Sequence, residues 1–261
     1  MTDVEKNNYP HNNNPYYGAT DSNLKDWKNV NMGNDEEVTN QFWDTQMRLG
    51  FIRKIYGILT IQISFTVFFC LLSVLSPGFK AFQIASPGLF WICLIGTIIT
   101  SICLICFRSL SRNVPTNYIL LGTFTFCEAY LVSFICGTTK ANLVLMAAIM
   151  TCAVVISLTI YAFTTKTDFT MMGGTMFVLG CIMLLFGLFL MFTNNKILHV
   201  IYSCLGVFVF SLYLIYDTQL IIGNHENKLD IDDYIVGAMM LYIDIIQLFL
   251  HILSLLKQAD S

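Results

Sequence analysis

IYSCLGVFVFSLYLIYDTQLIIGNHENKLDIDDYIVGAMMLYIDIIQLFLHILSLL, from Ile201 to Leu256, decides the architecture. Two apolar blocks, Ile197–Ile222 and Tyr234–Leu256, flank the polar loop GNHENKLDIDD. Each block is near the ~20 residues with which a helix crosses a bilayer. Each also carries one aspartate, Asp217 and Asp244, and their midpoint falls inside the loop. An antiparallel hairpin turning there brings both carboxyls to the same depth. A lone charge at the centre of a membrane helix costs roughly 2.5–3.5 kcal/mol, so such acids face a partner or a water-filled cavity.

Five more apolar runs precede this hairpin: Ile55–Leu75, Gly88–Phe107, Tyr118–Cys136, Leu143–Phe163 and Gly174–Phe192. Hydrophobic residues make up 56% of the 261 and charged residues 12%, a balance no water-exposed surface accommodates. The runs are continuous and long, unlike the alternating strands of a membrane barrel. The sequence therefore predicts an all-α polytopic membrane protein with seven transmembrane helices. Residues 1–50 are polar and Asn-rich, and their composition predicts a mostly disordered tail. Phe42, Trp43, Met47, Leu49 and Phe51 suggest a short interfacial helix near its end. Residues 51–257 form the transmembrane domain and 258–261 a short C-terminal tail. The N-terminal segment lacks the charged-then-apolar pattern of a cleaved signal peptide.

Net charge −3 without a basic run argues against a nucleic-acid partner. All nine cysteines lie in the apolar blocks, so Cys103 and Cys106 read as packing rather than redox chemistry despite their CxxC spacing. Arg48, Arg53, Lys54, Arg108, Arg112, Lys166 and Lys228 fall on one side of the seven-span topology. Lys80, Lys140, Lys196 and Lys257 fall on the other. The excess places the N-terminus in the cytoplasm.

Four ionisable residues lie within spans, away from their ends: Glu128, Asp217, Asp244 and His251. Two carboxyls side by side in low dielectric share a proton, which makes Asp217 and Asp244 a candidate pH sensor able to meet a hard cation. Gly237, Asp244, Gln247 and His251 share one face of span seven. With Glu128, the polar members Gln247 and His251 are candidates for an ion path; their alternative role is to hydrogen-bond neighbouring helices. Asp230, Asp232 and Asp233 lack the spacing and glycine of an EF-hand and read as a solvated, helix-capping loop. Lys166 and Asp168 border span five, where a headgroup anchor and a helix cap are expected.

Across residues 40–257 the chain resembles the transmembrane Bax inhibitor motif (lifeguard) family. The matching segments are FIRKIYGILT (51–60), NYILLGTFTFCEAY (117–130), LTIYAFTTKTDFTMMGG (158–174), IYDTQLIIGN (215–224) and DDYIVGAMMLYIDIIQLFLHIL (232–253). FTFCEA and the short tail look most like the Golgi-type branch. The resemblance implies two three-helix layers around the C-terminal helix. It also implies a pH-sensitive calcium leak of an intracellular membrane, Golgi or endoplasmic reticulum, that inhibits apoptosis. In that scheme Asp217 and Asp244 gate the path, holding calcium transiently, and an arginine of span two latches onto them at higher pH. Arg108 and Arg112, at the end of that span, are the candidates for the latch. Calcium is then cargo, with no resident cofactor and no enzymatic activity. The implied partners are the bilayer, calcium ions, and apoptosis regulators or calcium-release channels. A non-conducting scaffold that suppresses death through protein partners is the alternative. Tyr216-Asp217 matches one half of an intramembrane aspartyl protease motif, but Asp244 sits in LYID rather than GxGD.

Overall fold

Lipid offers a bare peptide group no hydrogen-bond partner, so each apolar run closes its own backbone as a helix. The structure, a computed structural model, describes residues 21–224 and 227–260, with side chains from Asp44 onward. Nine α-helices are found there: α1 (Asp21–Leu75), α2 (Pro77–Ala85), α3 (Pro87–Cys106), α4 (Arg108–Arg112), α5 (Thr116–Gly137), α6 (Ala141–Thr164), α7 (Gly173–Leu190), α8 (Lys196–Ile222) and α9 (Tyr234–Ala259). Seven of them, α1, α3 and α5 to α9, are long and apolar enough to cross a membrane. No strand occurs among the described residues.

Helix α1 begins at Asp21 and ends at Leu75. No proline lies between Pro15 and Pro77. Once the apolar span has formed the helix, each residue added at its N-terminus avoids the cost of nucleation. Of the expected interfacial residues, Met47 and Leu49 are exposed, Phe51 is buried in the core, and the side chains of Phe42 and Trp43 lie outside the described residues. Residues 1–20 also lie outside them. The chain divides at Met47 into an N-terminal unit and a body that starts at Arg48, and the contacts below belong to that body.

Ser-Pro pairs break the chain where the first loop was expected. Ser76 accepts from Phe79 N at 3.4 Å, and Pro77 takes the first turn of α2, where its missing N–H is not needed. Pro87 opens α3 in the same way. The loop between spans one and two is thus itself helical. It is pinned by Gln83, which is fully buried. Ser73 Oγ donates to Gln83 Oε1 (2.6 Å), Gln83 Nε2 donates to Ser133 Oγ (2.9 Å), and Ser133 Oγ donates to the Tyr130 carbonyl (2.8 Å). Gln83→Leu strands the buried Ser73 hydroxyl, at about 1–3 kcal/mol, and removes the donor to Ser133 Oγ, which keeps its bond to the Tyr130 carbonyl. The expected result is a melting temperature several degrees lower in detergent, read by intrinsic fluorescence; an unchanged melt would show that α2 is not held this way.

Burial identifies the centre of the bundle. Half of the α9 span and 61% of the α5 span are buried, against 11–22% for the other five. On α9, Ile235, Ala238, Met239, Tyr242 and Leu248 have no exposed surface. Phe124 of α5 meets the Tyr242 ring edge-on at 5.8 Å, and the Tyr242 hydroxyl hydrogen-bonds Thr66 of α1 at 2.7 Å. Ile252 and Leu253 pack on Ala147 of α6. Spans α3 and α8 also touch α9. Span α7 joins through α8, where Tyr213 Oη donates to the Met176 carbonyl (2.6 Å) and Tyr202 meets Phe186 edge-on. The C-terminal helix is therefore the axis on which the bundle packs.

Candidate functional site

The seam between α8 and α9 carries the expected pair. Going up one helix and down the other, Gly237 meets Ile221, Asp244 meets Asp217, His251 meets Gly206, and Ser254 accepts from Ser203 Oγ at 2.8 Å. This is an antiparallel register fixed along the whole interface, and the polar face read on span seven is that interface. Asp217 is 4% exposed and Asp244 3%, and their carboxyls lie close enough across the seam to interact. A carboxylate has no donor, so a hydrogen bond between the two groups needs one shared proton. Asp244 Oδ2 has no hydrogen-bond partner. Tyr213 stands close to both acids, its hydroxyl already committed to Met176.

The remaining candidates separate by location. His251 is buried in an aromatic cage, stacked on Phe210 (5.6 Å between centroids) and edge-on to Tyr202 (5.2 Å). It lies directly over Gly206, where a Cβ would come within 2.4 Å of its ring. These contacts pack the imidazole against α8. Gln247 is half-buried on α9. Glu128 stands apart from the pair, on α5, half-buried and facing Thr97 of α3 near Tyr242.

Neither candidate latch is bonded to the pair. Arg108 is exposed. Arg112 grips the sixth loop instead: Nε and Nη2 donate to the two Asp233 carboxylate oxygens at 2.7 and 2.8 Å, and Nη2 also donates to Asp230 Oδ2 at 2.8 Å. The physical reason is reach, since α4 lies beyond the end of span two, level with the loop rather than with mid-membrane. The two carboxylates make the guanidinium hold its proton more firmly, and hydrogen bonding from Arg112 keeps the Asp230 carboxyl below its ordinary range. A carboxyl so depressed stabilises the fold above its unfolded pKa, and that contribution fades as pH falls through its folded value. The pairing is partly exposed, with Arg112 29% and Asp230 57% accessible, so its weight is small. Arg112→Gln is expected to lower the melting point only slightly at neutral pH. The difference closes in acid, and the amides of 228–233 exchange faster throughout. Unaltered exchange in that loop would refute the grip.

Two functional-looking side chains were not singled out by the sequence. Arg48 caps α8: Nη2 donates to the Leu220 carbonyl (2.6 Å), Nε to Ile222 (3.1 Å) and Nη1 to Leu229 (2.6 Å). A cation at a helix C-terminus also meets the negative end of its dipole. Gly223 ends α8 at φ 72°, a left-handed turn that suits glycine, and leaves the guanidinium room, since a Cβ would lie 2.5 Å from it. The basic group bonded nearest to Asp217 along α8 is therefore Arg48, one turn away. Gln219, fully buried, clamps the fourth loop: its Nε2 donates to the Thr167 carbonyl (2.9 Å) and its Oε1 accepts from Phe169 N (2.8 Å). Asn227 ties the sixth loop to the fourth by donating to the Thr170 carbonyl (3.1 Å).

Arg48 and Arg112 thus lie at the same end of the bundle as the α8–α9 loop, while Lys140 pairs with Asp260 at the other. No group of three or more His, Cys, Asp or Glu side chains able to hold a metal occurs among the described residues. Asp217 and Asp244 offer four oxygens at most, fewer than the 6–8 of a settled calcium site.

Residues 48–261 match the protein family described as inhibitor of apoptosis-promoting Bax1. The chain is 34% identical over 237 residues to protein lifeguard 3 of Homo sapiens, covering 87% of this chain and 76% of that protein. It is 31% identical over 232 residues to protein lifeguard 3 of Mus musculus, covering 87% and 75%. To protein LIFEGUARD 4 of Arabidopsis thaliana it is 35% identical over 221 residues, covering 82% and 87%.

Proposed function

The chain belongs to the family of inhibitors of apoptosis-promoting Bax1, and from that premise we propose that it is a pH-sensitive calcium leak of an intracellular membrane, Golgi or endoplasmic reticulum, that adjusts calcium stores and thereby inhibits apoptosis. The contact between Asp217 and Asp244 carries this proposal. It is buried, needs a single shared proton, and sits in the seam of the helix on which the bundle packs. Losing that proton turns a charge of −1 into −2 in low dielectric, where repulsion is strong. The two helices then change their packing or take up a cation. Calcium, doubly charged and oxygen-seeking, suits such a pair in passing, completing its shell with water.

In this mechanism the proton-sharing pair belongs to the conducting, low-pH state, and the ionised pair to a closed state held by a basic side chain. Arg48 is the cation best placed to act at that end, because it already holds α8 one turn from Asp217. The excess of basic residues at the α8–α9 loop end supports a cytoplasmic N-terminus. The test is calcium uptake into proteoliposomes holding the purified protein, from about pH 5.5 to about 8. Uptake that rises toward acid is the expected result. Folded protein that passes no calcium at any pH would refute the leak and leave the non-conducting scaffold as the function.

A further inference from the structure

A groove runs along the outside of the bundle between α1 and α6. Its wider part, about 410 Å³, is walled by Tyr56, Thr60 and Ser64 on one side and Ile156 and Ile160 on the other, with Ile245 of α9 at its base. A second hollow of about 290 Å³ shares Ile63 and Ile245 with the first and continues to Val74 on α1 and Ala141 on α6. From Tyr56 to Val74, at 1.5 Å per residue, the groove runs roughly 27 Å, close to the ~30 Å hydrocarbon core. Among its polar side chains, the Thr60 hydroxyl donates to the Tyr56 carbonyl of its own helix (2.7 Å).

Charge distinguishes its two ends. At the Tyr56 end, Arg53 lies one turn before Tyr56 on the same face of α1, and Lys166 follows the last turn of α6. Both are exposed, and among the described residues neither is in an ion pair. Gly57 adds open space there, with no atom within 4 Å of where its Cβ would be. At the far end Lys140 is already paired with Asp260. We infer that this groove binds an anionic phospholipid of the leaflet at the Arg53 end, its headgroup between Arg53 and Lys166 and one acyl chain along the α1–α6 seam. The chain then covers Thr218, the residue after Asp217, on the groove floor. The inference is independent of calcium conduction.

Native mass spectrometry of the full chain in detergent tests it, with phosphatidylglycerol and phosphatidylcholine of matched chains as probes. Wild type is expected to retain one phosphatidylglycerol in preference to phosphatidylcholine by at least about tenfold, given two basic contacts. Arg53→Gln and Lys166→Gln each lower that preference about fivefold. Ser64→Trp fills the groove and lowers retention of both lipids, while Val178→Trp, on the exposed face of α7, changes neither. Equal retention of the two lipids by wild type would overturn the inference, as would unchanged retention in Ser64→Trp. Loss of both lipids in Val178→Trp would equally overturn it, because bulk alone would then be the cause.

Discussion

Asp217→Asn and Asp244→Asn are each expected to flatten the pH profile of calcium flux in proteoliposomes, to within about twofold between pH 5.5 and 8. Wild type is expected to change at least about tenfold across the same window, because each pH unit alters a titrating group's protonation ratio tenfold until it saturates. The amide is isosteric with the carboxyl and brings its own N–H donor, so the contact across the α8–α9 seam survives without a shared proton. The fold is therefore kept while the titration is removed. A structural role for the pair predicts the opposite pattern, a lower melting point with the pH profile intact. The two variants are also expected to agree with each other, since the proton belongs to the pair and not to either residue. An unchanged profile in either variant would exclude this pair as the sensor.

The same seam shows what was legible in the sequence. Spans announce themselves by length and continuity of apolar residues, because lipid imposes both, and all seven appear where expected. The Asp217–Asp244 contact follows from symmetry about the loop, since a hairpin equates depth on its two arms. Arg48 and Gln219 were not legible in the same way. Their partners are backbone carbonyls and amides, which every residue carries, so no pairing of side-chain types points to them. The bonding of the span-two arginine was not legible for a related reason. A charge near a span's end is attributed to the bilayer surface, but whether it turns inward to the pair or outward to the loop depends on which acid is at its level. Asp233 and Asp230 are, and they take Arg112. Helix α2 did leave a signal, the Ser-Pro steps at 76–77 and 86–87, which mark helix starts as readily as turns.

Gly206→Leu is expected to cost more stability than any other single change on the α8–α9 seam outside the pair. Its side chain would enter the space of the His251 imidazole, whose ring lies 2.4 Å from the Cβ position. Phe210 and Tyr202 close the cage on two sides of that ring, so it has little room to withdraw. Overpacking of this kind costs about 1–3 kcal/mol and more where neighbours cannot yield. His251→Ala alone leaves a cavity in the cage and costs about as much. Together the two changes exchange an imidazole on α9 for an isobutyl group on α8 at the same place. The double variant is therefore expected to regain more than half of the summed loss, a coupling of about 1–3 kcal/mol. Melting in detergent measures it, alongside calcium flux. If the effects simply add, His251 is not held by Gly206 and the seam is packed otherwise. If the double variant is stable but its pH profile flattens as in Asp217→Asn, His251 belongs to the ion path and not only to the packing that holds Asp244 against Asp217.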